Sequence, residues 1–301
     1  MTAQGVAKIR HVETILEDPL YEDPYAAYMY FGSSVTNLLG GNRTRKMFDW
    51  LQKGLFDVLT LRTKWIDDEI VTAANSAKAE QLLILGAGYD TRGFRLDLPD
   101  GFVTLEVDQP AVQSSKLKTM KKIGNFDAKV AARLEATTGG PRVEHVSIDF
   151  NQDSVSEETI LQPTSLEAKK KTIITLEGVT QYIPDTSTAS TLKQVHGLFP
   201  KESLLLISYV PESLYDRTNK SKESLQQLDN LLKTAATFNE PWITSWSPDS
   251  FASFLKECGF QVLSDVSVEE LNEKYLVPRN RGLKEDEKLE LERYVVAKIV
   301  K

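Results

Sequence analysis

The sequence predicts an open α/β fold: a mainly parallel sheet with helices on both faces, preceded by a helical segment. Three observations carry this. From residue 81 onward, short apolar runs alternate with stretches of helical periodicity. The first run, Leu82-Leu83-Ile84-Leu85, stops at a glycine turn, Gly86-Ala87-Gly88. The second, Phe102 to Val107, ends on an acid, Asp108. Strand, glycine turn, connection, strand and acidic tip is how open α/β sheets hold a nucleoside.

Residues 1–80 read as mostly helical. Between Lys46 and Ile70, apolar residues recur at three- and four-residue spacing (Phe48, Leu51, Leu55, Val58, Leu59, Leu61, Ile66, Ile70). This part is expected to be a helical cap or a lid over the site, since both need an apolar inner face. Residues 81–301 form the core, as one compact unit. Its candidate strands are 82–86, 102–107, 143–148, 172–177, 203–209, 260–264 and 292–299. Helical patterns fall at about 110–122, 125–137, 187–197, 222–237 and 248–258. The last pattern is the clearest. Ser247 caps it, Pro248 suits its first turn, Phe251, Phe254, Leu255 and Cys258 share one face, and Gly259 ends it. Cys258 therefore reads as core rather than nucleophile. The final strand follows the charged segment 279–293 and is expected to return late, with an antiparallel orientation open to it.

Bulk composition bounds the function. With 301 residues and 41% apolar content, the chain can bury a large core. A net charge of −7 argues against a general nucleic-acid binder, whose affinity rests on neutralising phosphates. Cys258 is the single cysteine, so no intrachain disulfide can form. No apolar stretch reaches the roughly 18 residues of a membrane span, and the N-terminal residues lack the apolar core of a signal peptide. A cytoplasmic location without a membrane partner is the expectation. His11, His145 and His196 lie far apart, so no metal site is expected.

The candidate site residues follow the strand ends. Gly86 and Gly88 let the backbone turn sharply and leave room for a ligand. The third glycine of a dinucleotide fingerprint would fall at Thr91, which weakens a pyrophosphate-binding reading but not an adenosine-binding one. Asp108 lies 20 residues after Gly88 and can accept hydrogen bonds from ribose hydroxyls. Its alternative role is a helix cap before Pro110. Glu106 is the rival carboxylate, on the same strand face. Asp149 and Phe150, after the third strand, suit an adenine, or equally a turn acid and a core ring. Glu177, after the fourth strand, opens Glu177-Gly178-Val179-Thr180-Gln181-Tyr182 and stands where α/β sheets place ligands. Arg43 and Arg45 lie in GGNRTRKMFDW; Arg92 and Arg95 follow the glycine turn. Guanidinium groups suit carboxylates, with surface ion pairing as the plain alternative.

Three segments, LLILGAGYDTRGFRL, LEVDQPAVQSSK and ITLEGVTQYIP, together resemble the leucine carboxyl methyltransferase family, which includes bacterial O-methyltransferases of polyketide biosynthesis. NRTRKMFDW is similar to its upstream arginine motif, and the segment from Glu240 to Leu276 to its C-terminal part. The resemblance runs from about residue 20 to 276 and keeps the motif order. It implies a Rossmann-like, seven-stranded class I methyltransferase sheet with added helices, and S-adenosyl-L-methionine as cofactor. It implies that Gly86 and Gly88 line the methionine part, Asp108 holds the ribose, and Asp149 and Phe150 contact the adenine. It places Glu177 beside the transfer site and Arg43 on the cofactor's carboxylate, with Arg45 as the register alternative. GYDTR and EGVTQYIP resemble the bacterial branch more than the enzyme that methylates a phosphatase tail.

The implied reaction is methyl transfer to an oxygen, carboxylate or hydroxyl, of a small molecule or peptide. A carboxylate acceptor needs a cation, for which Arg92 and Arg95 are the candidates; a phenol benefits from a base, for which Tyr182, Asp90 and His145 are. Residues 1–60 and 211–245 are expected to shape the acceptor pocket. The alternatives are a nicotinamide-dependent oxidoreductase and a non-catalytic binding protein of the same fold.

Overall fold

The computed structural model describes residues 3–76, 78–135, 139–149, 153–218, 222–237, 240–284, 287 and 290–300. Helices α1 (Ala3–Thr14), α2 (Ser33–Leu39), α3 (Gly41–Leu51) and α4 (Leu55–Asn75) precede the first strand. The core then runs β1 (Gln81–Leu85), α5 (Arg92–Arg95), β2 (Val103–Asp108), α6 (Pro110–Gly124), α7 (Ala128–Glu135), β3 (Arg142–Ser147), β4 (Thr172–Leu176), α8 (Asp185–Leu198) and β5 (Leu204–Tyr209). It ends with α9 (Lys222–Thr237), α10 (Pro248–Glu257), β6 (Phe260–Val266), α11 (Val268–Leu271) and β7 (Arg293–Ile299).

The strands form one seven-stranded sheet in the order β3-β2-β1-β4-β5-β7-β6. β1 to β5 pair in parallel, and β7 inserts antiparallel between β5 and β6. Each expected strand is present within a residue or two. The sheet sorts its side chains by alternation. Leu82 and Ile84 of β1 join a core with α1 and α4, whereas Leu83 and Leu85 join one with α8 and α10. The N-terminal helices therefore share a core with the sheet rather than standing apart from it. The α10 expectations hold. The Ser247 hydroxyl accepts from the Ser250 N–H, Pro248 opens the helix, Cys258 is buried, and Gly259 adopts φ +92° where an added Cβ would meet the His196 ring at 2.4 Å.

The apolar spacing from Lys46 to Ile70 falls on two helices, with the break at Gln52-Lys53-Gly54. Gly54 sits at φ +73°, and a Cβ there would lie 2.0 Å from the Glu287 carbonyl oxygen. The close approach of a distant segment turns the chain between α3 and α4, and periodicity alone does not register it.

Candidate active site

The parallel register brings the predicted positions together. Leu85 pairs with Val107 on one side and with Leu176 on the other. One residue further, Gly86, Asp108 and Glu177 stand in a row across the carboxyl ends of three strands. The row spans β1 and its neighbours, where the chain winds outward in both directions and a crevice opens. A cavity of about 780 Å3 occupies it. Its floor is Ile84 to Asp90, Asp108 and Glu177; its roof comes from α1, α3 and α4 on one side and from α9 with Glu240 and Trp242 on the other. The roof residues from Ala3 to Leu59 and from Asn230 to Trp242 fall within 1–60 and 211–245, the two segments expected to shape the pocket, and Arg62 lies just beyond the first.

Gly86 has φ +69° and Gly88 φ +47°. A Cβ on Gly86 would stand 2.7 Å from Val179 Cγ2, so glycine keeps the β1 and β4 loops in close approach. The Asp108 carboxylate accepts from the Gly88 N–H at 2.5 Å and from the Gln109 N–H at 2.7 Å. Burial pushes its pKa up while these two donors pull it down, leaving it above the ordinary carboxylate value. It does not cap α6: the N-cap position is Gln109, with no side-chain cap bond. Glu106 is settled by packing. It is fully buried under α6, 2.6 Å from Lys116 Nζ and 3.1 Å from His145 Nε2, outside the cavity. His145 is thereby removed as a candidate base.

Glu177 lies between two arginines. Its Oε1 is 2.7 Å from Arg62 Nε and its Oε2 2.5 Å from Arg92 Nη1. Burial alone would raise its pKa, but Arg92 and Arg62 outweigh that and hold it below its ordinary value. Arg92 also binds Asp67 and Asp90, each at 2.7 Å. Asp90 is likewise held below the usual range: burial raises it, and Arg92, Lys116 and Arg10 overcome burial. Both acids are fixed anions. Tyr182 lines the cavity with its hydroxyl pKa pushed up to about 12 by burial, so it is a neutral donor at pH 7.

The arginine assignments change. Arg92 reaches the cavity wall but is saturated by three carboxylates. Arg95 does not line the cavity: it is buried against Asp67 at 2.7 Å and lies 3.8 Å from Asp23. Arg43 is exposed on α3, off the cavity, and Arg45 pairs with Asp57 at 2.7 Å. The lining arginines are instead Arg10, Arg62 and Arg92. Arg10 holds Asp23 through Nε at 2.8 Å and the Tyr89 carbonyl through Nη2. Arg62 donates through Nη1 to both oxygens of Glu292 at 2.9 Å. A signal for Arg62 was present: Leu55, Leu59, Arg62 and Ile66 are spaced on one apolar face of α4, and a lone arginine there needs a buried partner. Asp149 is not among the lining residues; its backbone N–H donates to Asp153 Oδ2 at 2.9 Å. Phe150 lies outside the described residues. Among the described residues no group of His, Cys, Asp and Glu could hold a metal ion, and no helix is long and apolar enough to cross a membrane.

The chain is similar to known proteins over most of its length. The family model for leucine carboxyl methyltransferase matches residues 3–196. A protein of Mycolicibacterium paratuberculosis named "Putative S-adenosyl-L-methionine-dependent methyltransferase" is 29% identical over 290 residues, covering 91% of this chain and 87% of the relative. A namesake from Mycolicibacterium gilvum is 32% identical over 217 residues, 70% of this chain and 66% of the relative. In fold, the chain is similar to a DUF574 family protein from Streptomyces avermitilis (TM-score 0.62, 14% identity, 97% of each chain). It is also similar to a crystal structure from Thermobifida fusca titled as a "putative methyltransferase" (TM-score 0.57, 14% identity, 92% of this chain and 93% of that one).

Proposed function

Since this chain belongs to the leucine carboxyl methyltransferase family and is an S-adenosylmethionine-dependent methyltransferase, we propose that it methylates an oxygen, and that this oxygen is a hydroxyl on a largely apolar small molecule. The observation that carries the acceptor is the shortage of lining cations: Arg92 is taken up by three carboxylates, and the cofactor's own carboxylate would draw on Arg62 and Arg10. Arg10, Arg62 and Arg92 each already face a carboxylate of the chain itself. A carboxylate acceptor would find no further arginine or lysine among the lining residues. The wall opposite the glycine turn is apolar: Phe48, Leu51, Leu55, Leu59, Leu231 and Trp242.

The cavity fits the cofactor. Asp90, Asp108, Glu177, Glu240 and Glu292 outnumber the three lining arginines, so the cavity lining carries an excess of negative charge. That suits a ligand with a sulfonium and an ammonium against a single carboxylate. Asp108, at the tip of β2 beside Gly88, would hold the ribose hydroxyls. The adjoining Arg62 and Glu177 form a cation–anion pair that complements an amino acid's carboxylate and ammonium, with Arg10 as a second guanidinium nearby. When bound, S-adenosylmethionine supplies a methyl carbon already joined to a good leaving group. The chain's contribution is alignment: the cap helices and α9 act as a lid that excludes water, and the rigid row of Gly86, Asp108 and Glu177 fixes the donor's position. None of Asp90, Glu177 and Tyr182 is poised as a general base near neutral pH.

A screen of labelled methyl transfer to phenols, carboxylic acids and thiols, with products identified by mass spectrometry, tests the reading. Label on hydroxyl oxygens is expected; label on carboxylates alone removes the hydroxyl, and label on sulfur alone removes the oxygen. Two further outcomes are expected. Arg43→Ala should leave S-adenosylmethionine affinity within about twofold, while Arg62→Ala should weaken it by roughly tenfold or more, since a charged hydrogen bond contributes about 1.5–3 kcal/mol. Calorimetry that ranks the two variants the other way restores Arg43. Tyr182→Phe should lower kcat by less than about tenfold and leave the pH–rate profile unchanged. Loss of a general base would cost roughly a hundredfold or more.

A further inference from the structure

The search outside the cavity leads to α2 and α3. These two helices are joined through Gly40 at φ +80° and turn Thr36 and Thr44 inward. Outward they, together with Phe31 just before α2, present an unusual set of side chains. Phe31 is 98% exposed, Leu38 85% and Trp50 85%, and Val35, Met47 and Leu51 are also exposed. Elsewhere among the described residues, large exposed apolar side chains stand singly at Ile243, Leu263 and Val277, while Tyr28, beside this segment, contacts Phe126. Isolated apolar residues on a surface need no explanation, but a concentration in two short adjoining helices does.

Charge indicates what covers this face. Helices α2 and α3 carry Arg43, Arg45 and Lys46 against a single acid, the half-buried Asp49, in a chain whose net charge is −7. Arg43 and Lys46 are exposed beside Met47 and Trp50, one helical turn apart on α3. A second copy of the chain docking through the same face would bring these cations against their own kind, because a two-fold contact sets a patch against itself. An anionic bilayer removes that conflict. Its headgroups pair with Arg43 and Lys46, and its acyl boundary takes the exposed rings and leucines, as for a helix lying in a membrane interface. Leu51 is exposed and also lines the cavity, and Phe48 lines it from the same helix, so the face adjoins the cavity mouth.

We propose that the α2–α3 hairpin docks this protein peripherally on an anionic lipid surface, with the mouth of the cavity towards the bilayer. This revises the sequence expectation of no membrane partner, which rested on the lack of a spanning segment. The docking does not depend on which atom is methylated. The test is flotation of the full chain with phosphatidylcholine vesicles and with vesicles that also contain phosphatidylglycerol. Binding to the anionic vesicles only, falling as salt rises, is expected. Lys46→Glu should lower vesicle affinity by about fivefold or more, and the Leu38→Ser, Trp50→Ser double variant should abolish flotation while its circular dichroism and melting temperature stay those of the parent. Failure to float with either vesicle overturns the proposal. So does equal flotation on both, or binding that the substitutions leave intact. A dimer in light scattering that the double variant dissolves assigns the face to a second copy and overturns it as well.

Discussion

Arg92→Ala is expected to destabilise the protein by about 3–5 kcal/mol, a fall of roughly 5–8 °C in melting temperature. The side chain is 4% exposed and compensates Asp67, Asp90 and Glu177 at once. Its removal leaves buried carboxylates without their principal cation, and the cost is that of uncompensated charge rather than of one lost contact. Arg92→Lys should recover only part of the loss, because a single ammonium cannot span three carboxylates as a guanidinium does. The pH dependence separates this account from a simple packing defect. In the parent, Asp23, Asp90 and Glu177 have folded-state pKa values below their unfolded ones, with Arg10, Arg92 and Arg62 among the cations that outweigh burial. Their contribution is complete above the ordinary carboxylate range and is lost as pH falls below about 4. Asp57 and Asp108, raised by burial, oppose this in part. In Arg92→Ala, Asp90 and Glu177 lose the largest cation opposing burial, so their pKa values rise and protonation relieves part of the cost. Denaturant unfolding should therefore show the variant gaining stability relative to the parent as pH falls from 7 to 5, a range in which His11, lowered by burial, costs both proteins stability. A variant as stable as the parent at pH 7 would remove Arg92 from the frame of the site.

Asp108→Ala is expected to weaken S-adenosylmethionine binding by about 1.5–3 kcal/mol, roughly ten- to a hundredfold. The lost groups are the charged acceptors placed for the ribose. Part of the effect passes through the turn, since Asp108 also holds the Gly88 and Gln109 N–H groups. Asp108→Asn keeps one acceptor oxygen and should fall between the two. Calorimetry at fixed salt, alongside the melting temperature without ligand, distinguishes lost ribose bonds from a disordered turn. Unchanged affinity in a folded Asp108→Ala protein would mean that the ribose lies elsewhere.

The residues that were legible in advance share a physical property: their evidence is local. Leu82 to Leu85 ending at Gly86, and Phe102 to Val107 ending at Asp108, declare strands and their carboxyl ends through period and punctuation. Glu177 was found for the same reason. Of the lining arginines, Arg10 and Arg62 were not, because a guanidinium is placed by its partners. Arg62 is held by Glu292, 230 residues away, and Arg10 by Asp23 and the Tyr89 carbonyl. Arg43, in a motif that looked apt, stands on the outer face of α3. The choice between Glu106 and Asp108 shows the boundary. Alternation put both on one face, and only the packing of Lys116 and His145 against Glu106 left Asp108 as the acid at the cavity.

By itself, then, the sequence determined the strands, the glycine turn, the acidic tip of β2 and a nucleoside-type cofactor, since side-chain period and backbone freedom act over a few residues. The tertiary structure alone decided which arginines face the cavity, that Asp90 and Glu177 are held as anions, and that α3 turns Trp50 and Lys46 outward. Charge compensation and burial are sums over segments far apart in the chain, and no window of sequence contains them.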